Sequence, residues 1–180
     1  MWVVVTDGLN DRVRATLRDV PDFPRAGILF KDITPVLADA KLMRAITHHF
    51  VSIYGSQEID LVAGIESRGF ILGGALAVAL GAGFVPIRKP GKLPHECVRV
   101  DYELEYGSDA LEAHIDAVAN GARVLVVDDV LATGGTARAA VDLMRQLGGD
   151  VAGAAFLLEL QFLHGRRRLD DVPVSAIVDV

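Results

Sequence analysis

Four short stretches of the chain are apolar almost without interruption: Asp60–Glu66 ("DLVAGIE"), Phe84–Lys89 ("FVPIRK"), Arg123–Asp129 ("RVLVVDD") and Val151–Leu160 ("VAGAAFLLEL"). A strand with one wet face alternates apolar and polar residues. A strand that is apolar at every position is covered on both faces. Helix-like segments separate most of these runs. Lys41–Ile53 places Leu42, Ile46, His49, Phe50 and Ile53 on one face, and Thr136–Leu147 forms a second helix with Gly148-Gly149 as its stop. Strand, helix and strand in succession predict an α/β domain with a central parallel sheet flanked by helices. The 180 residues are enough for one such domain with a full core.

The uncharged stretch Phe70–Ile87 is long enough to be weighed as a membrane span. Gly73, Gly74, Gly81, Gly83 and Pro86 break it, so a buried helix to Leu80, a Gly-Ala-Gly turn and a strand is the better reading. A net charge of −6 with both signs interspersed leaves no basic face for nucleic acid or for an anionic membrane. The amino end makes a poor signal peptide. One cysteine, Cys97, excludes an internal disulfide and points to a reducing cytoplasm.

A different period governs the middle of the chain. Val98, Val100, Tyr102, Leu104 and Tyr106 alternate with charged residues; Leu111, Ala113 and Ile115 do the same after Gly107-Ser108, which reads as a turn. Two period-two segments make an antiparallel hairpin. "KPGKLP", Lys89–Pro94, precedes it with the composition of a hinge, so the hairpin is expected to act as a lid.

The chemistry is concentrated in "RVLVVDDVLATGGT". Ligands of open parallel sheets bind beyond the carboxyl ends of the strands. Asp128 and Asp129 come at such an end, and Ala132, Thr133, Gly134, Gly135 and Thr136 then turn into a helix. Two glycines let backbone N–H groups approach a ligand, two threonines add hydroxyl donors, and a helix amino terminus favours an anion. Carboxylates beside a phosphate would repel it unless they bind hydroxyls a few ångströms away. A sugar phosphate meets both demands. In the plainer alternative, Asp129 only caps a turn that the glycines permit. No Walker or dinucleotide-binding glycine motif is present, and "GIESRG" is one residue too long for a hydrolase nucleophile elbow. His48-His49 lacks metal spacing, and Arg166–Arg168 reads as a solvated charge run.

"VLVVDDVLATGGT" resembles the 5-phosphoribosyl-1-pyrophosphate (PRPP) signature of the type I phosphoribosyltransferases. "VPDFPRAGILFKDITPVLAD" (Val20–Asp39), "GIESRGFILG" (Gly64–Gly73) and "IRKPGKLP…YELEYG" (Ile87–Gly107) resemble the members that act on adenine, in the same order. The resemblance implies a single domain over residues 1–180, with an amino-terminal hood at about 1–39 and a flexible hairpin lid at about 90–116. It implies that adenine and PRPP become AMP and pyrophosphate, with magnesium carried by PRPP and not bound directly by the protein, in a cytoplasmic homodimer. It assigns Asp128, Asp129 and Ala132–Thr136 to PRPP and AMP, and Glu66, Ser67, Arg68, Arg88, Lys89 and Lys92 to pyrophosphate. Leu29, Phe30, Lys31 and Val130 are assigned to adenine, through main-chain groups and apolar walls. Arg68, Glu105 and Tyr106 are assigned to catalysis, and the Glu66–Ser67 peptide is expected to be cis. A 6-oxopurine transferase and a non-catalytic PRPP sensor are the rival readings. The first would need a donor matched to a 6-oxygen, and the second usually needs an added nucleic-acid-binding module.

Overall fold

A computed structural model describes residues 8–104 and 107–180. In chain order the elements are α1 (Leu9–Thr16), β1 (Arg18–Pro21), β2 (Leu29–Asp32), α2 (Thr34–Ala38), α3 (Ala40–Tyr54), β3 (Leu61–Ile65), α4 (Gly69–Leu80), β4 (Gly83–Ile87), β5 (Cys97–Leu104), β6 (Gly107–His114), β7 (Arg123–Leu131), α5 (Gly135–Gln146), β8 (Asp150–Glu159) and β9 (Val174–Asp179). Two short 3-10 turns, Gln161–Leu163 and Gly165–Leu169, lie between β8 and β9.

The central sheet has five strands in the order β4-β3-β7-β8-β9, all parallel. The uninterrupted apolar runs are explained by its two covered faces. Along β7, Leu125 and Val127 join Leu42, Ile46 and Phe50 of α3 and Leu72 and Leu76 of α4 on one side. Val124 and Val126 point the other way, to Ala140, Val141 and Met144 of α5 and to Leu111 and Ala113 of β6. Successive side chains alternate between faces, so only a strand buried on both sides is apolar throughout.

Phe70–Ile87 divides as expected. α4 ends at Leu80, Gly81 takes a left-handed φ of 70°, and β4 follows. Among the described residues no helix is long and apolar enough to cross a membrane. The α3 cap was not anticipated: Asp39 accepts from the N–H groups of Lys41 (2.8 Å) and Leu42 (3.0 Å), satisfying two otherwise orphan donors. His48 is exposed and His49 half-buried against Phe50.

The hairpin differs from expectation in two ways. Gly107 and Ser108 do not form a turn; they are inside β6, paired with Leu104 and Glu103. The base of the hairpin is also built into the core, since Leu111 and Ala113 are fully buried and Val98, Val100 and Tyr102 pack against the same cluster. Its apolar side shares one cluster with Ala63 and Ile65 of β3, Val85 and Ile87 of β4, and α5. β1 and β2 form a separate two-stranded antiparallel sheet.

Candidate active site

The order of the strands decides where a ligand can enter. β3 leads through α4 to β4 on one side, whereas β7, β8 and β9 add on the other. The connections therefore diverge between β3 and β7, and beyond the carboxyl ends of those two strands a crevice must open. A cleft of about 600 Å³ lies there. Glu66, Ser67 and Arg68 line it after β3, Asp128, Asp129 and Val130 line it from β7, and Leu29, Phe30 and Lys31 of β2 face it from the small sheet. Lys89, Ala132 and Thr136 complete the set of expected residues in its wall.

Beside the cleft is a nook of about 80 Å³, lined by Asp128 and by Ala132, Thr133, Gly134 and Thr136. Gly134 caps α5 with φ 80°, a conformation that favours glycine, and Gly135 begins the helix. The turn thus brings the α5 amino terminus, its free N–H groups and the Thr136 side chain to one small concavity. Such a terminus is suited to an anion. The aspartates lie slightly before the strand end, because β7 continues to Leu131.

The two carboxylates differ. Asp129 is 5% exposed, and the Arg68 Nε lies 2.8 Å from its Oδ2. That oxygen has a charge partner but no aligned hydrogen bond, so its bonding capacity is only partly used. The Arg68 guanidinium also lies over the Phe30 ring, 5.5 Å from its centroid, a cation–π distance. Asp128 accepts the Asp129 N–H at 2.8 Å and keeps a surface toward the cleft. Burial first, and the adjacent Asp129 charge second, hold its carboxyl well above the usual carboxylate range.

An acid whose pKa is raised by folding costs stability as pH rises above its unfolded value, here 3.8, and the cost is complete above the folded value. Asp128→Asn removes that cost while keeping an acceptor for the Asp129 N–H. The variant should therefore melt about 2–4 °C higher than the parent at neutral pH, for a gain of about 1 kcal/mol. The difference should vanish in acid below the unfolded pKa. Thermal melts at two pH values check this; an unchanged or lower melting temperature at neutral pH would show that the carboxylate is not strained.

The cations expected to receive pyrophosphate are held by protein carboxylates. Glu66 accepts from Arg88 Nε (3.0 Å), Lys92 Nζ (2.7 Å) and the Lys89 N–H (3.1 Å). Burial raises the Glu66 pKa, but these hydrogen bonds, that of Lys92 first, outweigh it and the net shift is downward. Lys89 Nζ pairs with Asp109 of β6, and Lys31 Nζ with Asp19 at 2.6 Å. The Glu66–Ser67 peptide is cis. Glu105 and Tyr106 lie outside the described residues. Sequence reasoning missed Asp109, Tyr102 and Leu158, which also line the cleft. Tyr102 was on the apolar side of an alternating strand, and Leu158 was near the end of a parallel strand, so both carried a signal. Asp109 carried none.

A phosphoribosyl transferase domain model matches residues 33–177. The adenine phosphoribosyltransferase of Anaeromyxobacter dehalogenans (strain 2CP-1) is 56% identical over 170 residues, covering 94% of this chain and 99% of that one. The crystal structure of the adenine phosphoribosyltransferase from Rhodothermus marinus superposes with a TM-score of 0.91 at 52% identity, covering 96% of this chain and 98% of that one. The Saccharomyces cerevisiae enzyme, solved with adenine and an imino-altritol bisphosphate, gives a TM-score of 0.89 at 41% identity, covering 94% and 98%. The domain model spans most of the chain and these relatives match it nearly end to end, so the chain belongs to the phosphoribosyltransferase family, among its adenine phosphoribosyltransferases.

Proposed function

We propose that the cleft transfers the 5-phosphoribosyl group of PRPP to adenine, giving AMP and pyrophosphate. One observation carries the reading: a carboxylate pair adjoins an anion-sized nook at the point where the strand connections diverge. The nook takes the 5′-phosphate on the N–H groups and hydroxyls of Ala132–Thr136. Asp128 and Asp129 accept hydrogen bonds from the ribose hydroxyls. Arg68, Arg88, Lys89 and Lys92, with the Glu66–Ser67 main chain, hold the pyrophosphate. Each cation keeps further N–H donors for ligand oxygens beside its protein carboxylate, so the buried Glu66 and Asp129 stay paired when the ligand binds.

Adenine fits between Phe30 and Val130. β2 is paired with β1 along one edge, and its other edge can offer the main chain of Leu29–Lys31 to the base. In the reaction the bond from ribose C1′ to the pyrophosphate oxygen breaks and a bond from C1′ to the imidazole nitrogen of adenine forms. The nitrogen gives up its proton, which Glu105 receives, while Tyr106 covers the site. Cations on the leaving group and exclusion of water favour the oxocarbenium-like transition state.

The donor set suits magnesium that arrives on PRPP. Asp129 is committed to Arg68 and Glu66 to three donors, so few carboxylate oxygens are left for a protein-built cage, and magnesium readily keeps substrate oxygens as ligands. When bound it neutralises charge on the pyrophosphate. A homodimer is proposed from α4, which is apolar on every side and leaves Ile71 (49%) and Val78 (84%) exposed beside Phe84 (37%) of the edge strand β4. A second copy would cover that patch. The free cysteine accords with a cytoplasmic setting.

Incubating the purified chain with adenine, PRPP and magnesium should release AMP and pyrophosphate in equal amounts. PRPP binding without any turnover would instead favour a sensor.

A further inference from the structure

We propose that Gly165 is a positioning residue for the 5′-phosphate turn, an inference that rests on the function proposed above. Gly165 is buried at the start of the second 3-10 turn, far along the chain from Ala132–Thr136. Its backbone nevertheless meets that turn without a gap. A Cβ at Gly165 would lie 2.1 Å from the Ala132 carbonyl oxygen and 2.9 Å from the Gly134 nitrogen. A Cβ at Gly134 would lie 2.3 Å from the Gly165 carbonyl oxygen. Each glycine makes room for the other's main chain. The atoms in the way are all backbone, so no side chain can turn aside.

The wall behind the turn is fixed on several sides. At its start the Leu160 N–H donates to the Leu131 carbonyl at 2.9 Å, joining it to the end of β7. Arg166, expected to be solvated, grips the buried Glu159 instead, with Nη2 2.5 Å from Oε2 and Nε 3.1 Å from Oε1, and its Nη1 donates to the Val174 carbonyl at 2.8 Å. At the far end Arg138 and Arg145 of α5 hold Asp171 at 2.6 and 2.5 Å. The segment is therefore tied to β7, β8, the start of β9 and α5, and the phosphate turn leans on it. A turn that binds through backbone N–H groups depends on where its backbone is held, so displacing Ala132–Gly134 from behind should tilt the donors away from the phosphate.

Gly165 has no left-handed φ, so Gly165→Ala tests space and not backbone conformation. Titration of the full chain with AMP and inorganic phosphate should show at least about tenfold weaker binding in this variant, and the KM for PRPP should rise similarly. Pyrophosphate binding and the KM for adenine should stay within about twofold, since Gly165 and the backbone it meets, Ala132 and Gly134, are not among the residues assigned to those ligands, and kcat should fall less than KM rises. Loss of affinity for all four ligands together would mean general loosening and would overturn the proposal, as would unchanged phosphate binding. Should Gly165→Ala not fold, Arg166→Lys decides, because it keeps the charge on Glu159 but loses the fork. A selective loss of about threefold or more for AMP and phosphate supports the proposal, and no loss contradicts it. Absence of adenine turnover in the parent chain would count against the proposed function, whereas the phosphate ratio between variant and parent tests Gly165 separately.

Discussion

Asp129→Asn should weaken AMP and PRPP by about 10- to 100-fold, the equivalent of a charged hydrogen bond worth about 1.5–3 kcal/mol, and yet should leave inorganic phosphate and sulfate bound as well as before or better. The opposite signs follow from electrostatics. A carboxylate beside an anion-binding turn disfavours a bare anion and helps only a ligand that presents hydroxyls to it. In this chain the argument is sharpened by Arg68, whose Nε lies 2.8 Å from Asp129. Neutralising Asp129 removes the counter-charge of Arg68, so the local potential becomes more positive. Asp128→Asn should act in the same direction on AMP. Burial and the adjacent Asp129 charge raise the Asp128 pKa, which disfavours its charged form, and it has no Arg68 pair to lose. Thr136→Val provides the contrast: it removes a donor from the nook and should weaken every phosphate-bearing ligand. Titrations of the three variants with AMP, PRPP and sulfate separate these roles. Equal loss of AMP and sulfate in Asp129→Asn would mean that the carboxylate only shapes the turn.

The features legible in the sequence were those written in consecutive residues. β3, β7 and β8 were readable because burial on two faces leaves no polar position to interrupt them, and β4 was readable from its apolar run although its Phe84 is exposed. The hairpin was readable from its period of two, and the phosphate turn from its glycines. β9 was missed because Ser175 and Asp179 dilute its apolar pattern, as an edge strand allows. Contacts between distant residues left no local trace. Lys89 meets Asp109, Glu66 meets Arg88 and Lys92, and Arg166 meets Glu159. Each pair joins side chains that would otherwise read as ordinary surface charges. The same limit applies to Gly165, an unremarkable glycine in a charged loop until the fold sets it against Ala132 and Gly134. The base site was hardest, since recognition by the main chain of Leu29–Lys31 is nearly independent of which side chains stand there.

That base site carries the central claim, and its specificity has a simple physical origin. Adenine presents an amino group where hypoxanthine and guanine present a carbonyl oxygen. A backbone acceptor that meets the amino hydrogen would face an oxygen in the other two bases, leaving two acceptors opposed in a site bounded by Phe30, Val130 and Leu158. Water cannot readily repair such a mismatch between apolar walls. The most direct measurement is steady-state turnover of the purified chain with PRPP and magnesium, each base offered in turn. The value of kcat/KM for adenine should exceed that for hypoxanthine or guanine by at least about 100-fold, or about 2.7 kcal/mol of discrimination in the transition state. Comparable turnover of hypoxanthine would contradict the account.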